Sequence, residues 1–266
     1  MTNASFELVP GDAATGFLIL CDHASNRIPP ELGDLGLPRA QMERHIAYDI
    51  GARSVSLLLA EMLGCPAVLS TFSRLVIDPN RGEDDPTLVM RISDGAIIPG
   101  NADHDAEERE RRLNAYYRPY DDAVGQAIDT AIAAGYPPTL VSIHSFTPLW
   151  KAAQRPWDIG ILWDKDPRFA VPLIAALQAG GDLIVGDNEP YSGQLAGDMM
   201  HRQGTMRGLP HALIELRQDQ VETDEGRARW ANRLSDVITG LSGLEGLGQI
   251  RYYGSLGDIA EAEQPS

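Results

Sequence analysis

"FLILCDHASNR", residues 17–27, runs from five apolar residues straight into Asp22, His23, Ser25, Asn26 and Arg27. A short apolar run bounded by polar and turn residues is the pattern of a strand buried on both faces. Such strands belong to parallel sheets covered by helices. In open sheets of that kind, ligands collect beyond the carboxyl ends of the strands. The polar residues that crowd the end of this run therefore mark a place to look for a site.

The pattern recurs along the chain. Strands are predicted at 17–21, 67–72 with 75–77, 139–143, 159–163, 182–186 and 211–216. Between them, Ile50, Val55, Leu58, Leu59 and Met62 recur at helical spacing, as do Leu113, Tyr117, Tyr120, Val124, Ile128 and Ala131. Trp230, Leu234, Val237, Ile238 and Leu241 mark a last helix. Alternation of the two patterns predicts an α/β fold, a single domain over residues 1–266 with a mixed, mostly parallel sheet flanked by helices. The tail after about residue 243, Gly-rich and then acidic, is expected to fray. Residues 82–106, "GEDDPTLVMRISDGAIIPGNADHDA", fit neither period and read as a lid or binding loop.

Composition narrows the partners. A net charge of −16 argues against nucleic acid, whose phosphates require a basic surface. No apolar run approaches the ~18 residues of a membrane span. The stretch "MTNASFELVPGDAATG" has neither the basic nor the apolar region of an export signal. Two cysteines, Cys21 and Cys65, lie in apolar surroundings, so both are expected as core residues in a reducing cytoplasm. Oligomeric state is not legible.

The strand ends collect chemistry. The 17–21 run delivers Asp22 and His23, and the 75–77 run delivers Asp78, Asn80 and Arg81. The 139–143 run delivers His144 and Ser145, while 211–216 contains Glu215 and delivers Arg217. Two histidines with a carboxylate are the ligand set of a catalytic zinc. His23 and His144 supply the nitrogens, and either Asn26 or Asp49 supplies the third ligand. An amide oxygen is the poorer zinc ligand, but Asp49 precedes "IGARSVSLLLAEML" and serves equally well as a helix N-cap. Asp22 or Asn26 would orient the His23 ring.

Glu215 is an acid inside an apolar strand, which is costly unless it is paired or used. It reads either as a salt bridge to Arg217 or as a general base for an attacking water. Arg74 and Arg81 flank "LVID"; each reads as an ion pair with Asp78 or as a fork for a ligand carboxylate. Asn80 and Arg217 stand near the same crevice, and Tyr191 and Gly193 of "NEPYSG" could touch a ligand backbone.

Taken together, "DHASNRIP", "YDIGA", "SRLVIDPNR", "EERERRLNAYYRPYDDAV", "SIHS", "NEPYSG" and "LIELRQD" resemble the N-formylglutamate amidohydrolase family, in the family's order, over about residues 17–225. The resemblance implies an α/β fold of the zinc-dependent exopeptidase (phosphorylase/hydrolase-like) type. It implies Zn²⁺ on His23, Asp49 and His144, Glu215 as base, and Arg81 and Arg74 near the substrate's carboxylates. It also implies a small anionic amino-acid derivative as substrate, cleaved at its N-acyl (N-formyl) amide. "DPNR" and "CDHASN" stand where family deformylases read "DLNR" and "PHSG", which points to a divergent branch. Two other readings stay open: a zinc carboxypeptidase-like or cell-wall peptide hydrolase, and a non-catalytic binding protein for amino-acid derivatives.

Overall fold

A computed structural model describes residues 5–257. Seven strands enter one sheet: β1 (Phe6–Val9), β2 (Phe17–Cys21), β3 (Ala67–Ser70), β4 (Thr139–Phe146), β5 (Ile159–Leu162), β6 (Val185–Asp187) and β7 (His211–Arg217). Their order is β1-β3-β2-β4-β7-β5-β6. Strands β3, β2, β4 and β7 run parallel; β1 lies antiparallel on one edge, and the β5–β6 pair runs antiparallel to β7 on the other. The sheet is mixed and mostly parallel, as its sequence predicts.

The helices of seven residues or more are α1 (Ala52–Leu63), α2 (Ala106–Arg112), α3 (Arg118–Ala133), α4 (Pro167–Gln178) and α5 (Asp224–Leu241). Strand β2 shows why its residues do not alternate in polarity. Phe17, Ile19 and Cys21 join Val55 of α1, Leu173 of α4 and Leu234 of α5 in one core. Leu18 and Leu20 join Tyr120, Val124 and Ile128 of α3 in another, on the opposite face. Both faces are dry, so every position is apolar. Helices α2 and α3 are continuous through a π turn at Leu113–Tyr117, a local widening often found near functional sites. Among the described residues no helix is long and apolar enough to cross a membrane. Both cysteines are buried and free.

Several boundaries differ from expectation. Leu75, Val76 and Ile77 are fully buried but form a turn, not a strand. Their carbonyls are satisfied by side chains instead of a neighbouring strand: Asn101 Nδ2 donates to Leu75, and Arg112 Nη1 donates to Val76. The 82–106 segment is not a lid. Leu88, Val89 and Asn101 are buried, Asp78 donates its N–H to the Leu88 carbonyl, and no residue of the segment lines the main cavity. It is a pedestal beneath the 73–78 turn. The tail is held as far as it is described: Arg168 Nη1 donates to the Gly246 and Gln249 carbonyls, and Leu256 N–H donates to Asp164. Residues 258–266, where fraying is also expected, lie outside the described region. Strand β1 and two short hairpins (Ile92–Ser93 with Ala96–Ile97, and Leu149–Trp150 with Ala153–Gln154) were not foreseen, being short and largely exposed.

Gly51 links the crevice to α1. Its φ of +81° is left-handed, and an added Cβ would lie 2.6 Å from the Val221 carbonyl oxygen. Left-handed backbone costs a side-chain-bearing residue ~1–2 kcal/mol before any clash. Gly51→Ala should lower unfolding free energy by at least about 2 kcal/mol in urea titration. An unchanged midpoint would show that the turn tolerates a side chain.

Candidate active site

His23, Asp49 and His144 meet at the carboxyl edge of the central strands, all buried, with potential metal-ligating atoms within 4.8 Å of one another. His23 lies two residues past the end of β2, and His144 lies inside β4. Asp49 arrives from the turn before α1, tied by its N–H to the His23 carbonyl at 3.0 Å. Of the two residues the sequence offers beside the histidines, the structure brings Asp49 to them. Gly51 occupies the cap position of α1 with no side-chain capping bond, and the Asp49 carboxylate turns inward. Asn26 does not face the cluster; its Nδ2 donates to the Met42 carbonyl at 2.9 Å.

Both imidazoles aim Nδ1 at the same oxygen. His144 Nδ1 lies 2.8 Å and His23 Nδ1 3.4 Å from Asp49 Oδ2, and the rings stand edge to face at 86°. The outer nitrogens are held by carboxylates: His23 Nε2 by Asp78 Oδ1 at 2.7 Å, and His144 Nε2 by Asp22 Oδ2 at 3.0 Å. An Nε2–H donated outward leaves an Nδ1 lone pair pointing inward, toward another lone-pair-bearing atom. That arrangement calls for a cation or for added protons. It is also the carboxylate–histidine pairing that orients metal ligands. Asp22 was expected to orient His23; it serves His144 instead, because the side chains of Asp22, Ser142 and His144 share one face of the sheet. Tyr120 of α3 completes that arm, donating its hydroxyl to Asp22 Oδ1 at 2.8 Å.

The electrostatics agree with the geometry. Asp22, Asp49 and Asp78 are buried carboxylates, and Arg74 meets two of them, through Nε and Nη2 on Asp78 Oδ2 and Nη1 at 3.7 Å from Asp49. Asp22 is met by His144, Tyr120 and Ser142 instead. Burial opposes charging of His144, but its bonds to Asp22 and Asp49 outweigh burial and hold its pKa well above the usual value. Burial likewise opposes ionisation of Asp49, yet the two histidines keep its carboxyl below the ordinary range.

Glu215 pairs in register with His144 across β4 and β7. It is 7 % exposed, and among the described residues its Oε2 has no hydrogen-bond partner. Burial pushes its pKa up to about 7, partly offset by His144. The expected alternative, a bridge to Arg217, does not form. Arg217 is bound by Asp158, Asp219 and the Trp157 carbonyl, and it does not line the cavity.

The cavity in front of these groups encloses about 230 Å³ and includes Arg74, Asn80, Arg81 and Tyr191 in its walls. Asn80 is fixed by the Met199 N–H, while among the described residues the Arg81 guanidinium pairs only with Asp85, at 3.9 Å. The "NEPYSG" segment is explained by Asn188, whose Oδ1 accepts the N–H groups of Trp163 and Gly193 and closes the loop that carries Tyr191. This loop crosses the sheet where Gly160 opposes Glu215; a Cβ there would lie 2.0 Å from the Glu189 carbonyl oxygen. Sequence reasoning missed the Asp78 bond to His23 and the roles of Tyr120 and Ser142. It also missed Asp198, a buried wall residue whose carboxyl burial raises to about 6. A signal existed for Asp78 alone, as an acid closing an apolar run.

A crossed-over parallel sheet with a buried His-Asp-His cluster and an adjacent unpaired carboxylate at its carboxyl edge has the layout of a hydrolase. The chain belongs to the N-formylglutamate amidohydrolase family, whose profile matches residues 15–221. It is therefore a hydrolase acting on non-peptide C–N bonds. Gene product Atu2144 from Agrobacterium tumefaciens is 34% identical, with 90% of this chain and 95% of that one aligned at a TM-score of 0.84. The N-formylglutamate amidohydrolase from Ralstonia eutropha JMP134 shares the fold at 23% identity and a TM-score of 0.65, over 90% of this chain and 97% of that one. A comparison with curated protein sequences finds no match.

The outer carboxylates generate a prediction. Asp78→Asn keeps the shape but no longer holds Nε2–H as an anion. If the cluster holds Zn²⁺, affinity should fall by ~10–100-fold in a competitive chelator titration. Wild-type affinity would assign Asp78 to Arg74 alone.

Proposed function

We propose that this protein is a zinc-dependent amidohydrolase that cleaves the acyl–nitrogen bond of a small N-acyl amino acid, with formyl as the simplest acyl group. The observation that carries the reading is Glu215 Oε2, a buried carboxylate oxygen without a partner, beside two imidazoles and a carboxylate. Two nitrogens and one oxygen from the protein suit a catalytic zinc, which keeps a position open. His23 Nδ1, His144 Nδ1 and Asp49 would hold it. When bound, the ion supplies Lewis acidity, which polarises a carbonyl and eases the ionisation of water.

The remaining work falls to the chain. Asp78 and Asp22 hold the two rings in orientation. Glu215 Oε2 accepts a proton from the attacking water and returns it to the leaving nitrogen, a sequence suited to a carboxyl whose pKa lies near neutrality. Arg81, weakly engaged at the wall, receives the substrate carboxylate through its fork. Arg74, locked on Asp78, contributes its positive charge to the anionic centre. The substrate would thus be a small anionic amino-acid derivative, met in the cytoplasm.

Glu215→Gln preserves shape but cannot take up the proton. The variant should fold and retain one zinc per chain by metal analysis, yet lose ~10²–10⁴-fold in kcat against N-acyl amino acids. A small loss in kcat would assign the base elsewhere. Arg81→Lys keeps the charge but loses the bidentate fork. KM for an anionic substrate should rise by about tenfold more than KM for its carboxamide analogue. Equal changes for the two substrates would give Arg81 a structural role.

A further inference from the structure

The cavity lining is mixed, and its cations are few. Arg74, Arg81, Asn80 and His45 are among its polar residues. Arg74 is spent on Asp78 and Asp49. His45 faces Asp94 at 3.5 Å, and burial favours its neutral form. Arg155 lies behind the wall: it stacks on the rings of Phe146, Trp150 and Tyr191, gives Nη1–H to the Tyr191 hydroxyl, and does not line the cavity. Among the described residues, Arg81 is thus the one lining guanidinium left for a ligand. The lining also includes Trp150, Leu162, Trp163, Leu195, Met200 and Leu213, beside the neutral polar Thr147, Ser192 and Gln218. A second carboxylate pressed against the indole and aliphatic part of that lining would be desolvated without a cation to pair it, which is strongly unfavourable. A ring or branched chain there would be dried by contact with indole and aliphatic carbon.

We infer that the preferred substrate is monoanionic: an N-acyl amino acid with one carboxylate, taken by Arg81, and one bulky apolar group, seated against Leu162, Trp163 and Leu213. The inference rests on the amidohydrolase reading and narrows its substrate class. The apolar group has two sources, the amino-acid side chain or the acyl chain, and either gives the cavity the same surface to cover. N-formyl-L-glutamate, with two carboxylates and no such group, is the poorer fit.

Three compounds separate the cases: N-formyl-L-phenylalanine, N-phenylacetylglycine and N-formyl-L-glutamate. Binding is measured by calorimetry on the zinc-supplemented Glu215→Gln chain, or on metal-stripped wild type if that variant does not fold. Turnover is measured on zinc-supplemented wild type. At least one apolar compound should bind about tenfold or more tightly than N-formyl-L-glutamate, with kcat/KM in the same order. Which of the two leads assigns the apolar group to side chain or acyl chain. Equal or tighter binding of N-formyl-L-glutamate overturns the inference whatever is hydrolysed. The expected binding order with no turnover of any compound supports the inference and counts against the hydrolytic reading. Leu195 is 42 % exposed at the rim, so Leu195→Arg should fold and add a second cation. It should erase most of the discrimination against N-formyl-L-glutamate; an undiminished preference overturns the seating of the apolar group at this wall.

Discussion

Two imidazole nitrogens aimed at one carboxylate oxygen form the constraint around which this molecule is built. Such atoms repel unless a positive charge lies among them, and burial removes the water that would screen them. Every neighbouring feature serves to hold that arrangement. Asp22 and Asp78 take the outer nitrogens, Tyr120 and Ser142 fix Asp22, and Arg74 fixes Asp78. The supports come from strands, from α3 and from the 73–78 turn, so the sheet alone does not make the centre. A polar network of this kind is favourable only when nearly all its members are satisfied. Glu215 Oε2 is the member left out, on a residue that lines the cavity.

The chemistry of the wall follows from the same sheet. Register places Glu215 beside His144 on one flank and Gly160 on the other. The glycine lets the 188–193 loop lie close, and Asn188 closes that loop over Trp163. Reactive and recognising groups are therefore set by strand pairing and by one backbone approach.

How much of this is legible in the sequence differs by element. Strands buried on both faces announce themselves as apolar runs, so β2, β4, β5 and β7 and the face of α3 are readable. So are His23, His144 and Glu215, polar residues at or inside such runs. Leu75–Ile77 looks the same but is not a strand, because Asn101 and Arg112 reach its carbonyls from far along the chain. Periodicity contains nothing of such long-range side-chain bonds. For the same reason Asp22 could be placed near a histidine but not beside the right one. Asp49 was open between capping and the cluster because both need an acid before a helix. Its direction depends on the left-handed Gly51, which hands the cap position to glycine. Arg217 follows a strand end as Arg81 follows its turn, and only the acids Asp158 and Asp219 draw it away.

The 73–78 turn carries a further consequence. Its backbone belongs to no sheet ladder: it is pinned by Asn101, by Arg112 at the end of α2 and by the pedestal residues Leu88 and Val89. Loops pinned by side chains open at lower free energy than central strands. Asp78 and Arg74 thus ride on the turn, while His144 and Glu215 ride on the central strands. The bond from Asp78 to His23 spans the two like a latch. Breathing of the pedestal alone would release the His23 ring while the strands stayed closed, and with it half of the anionic cage. Slow amide exchange in β4 beside faster exchange at 73–78 would be the signature of such a two-part centre.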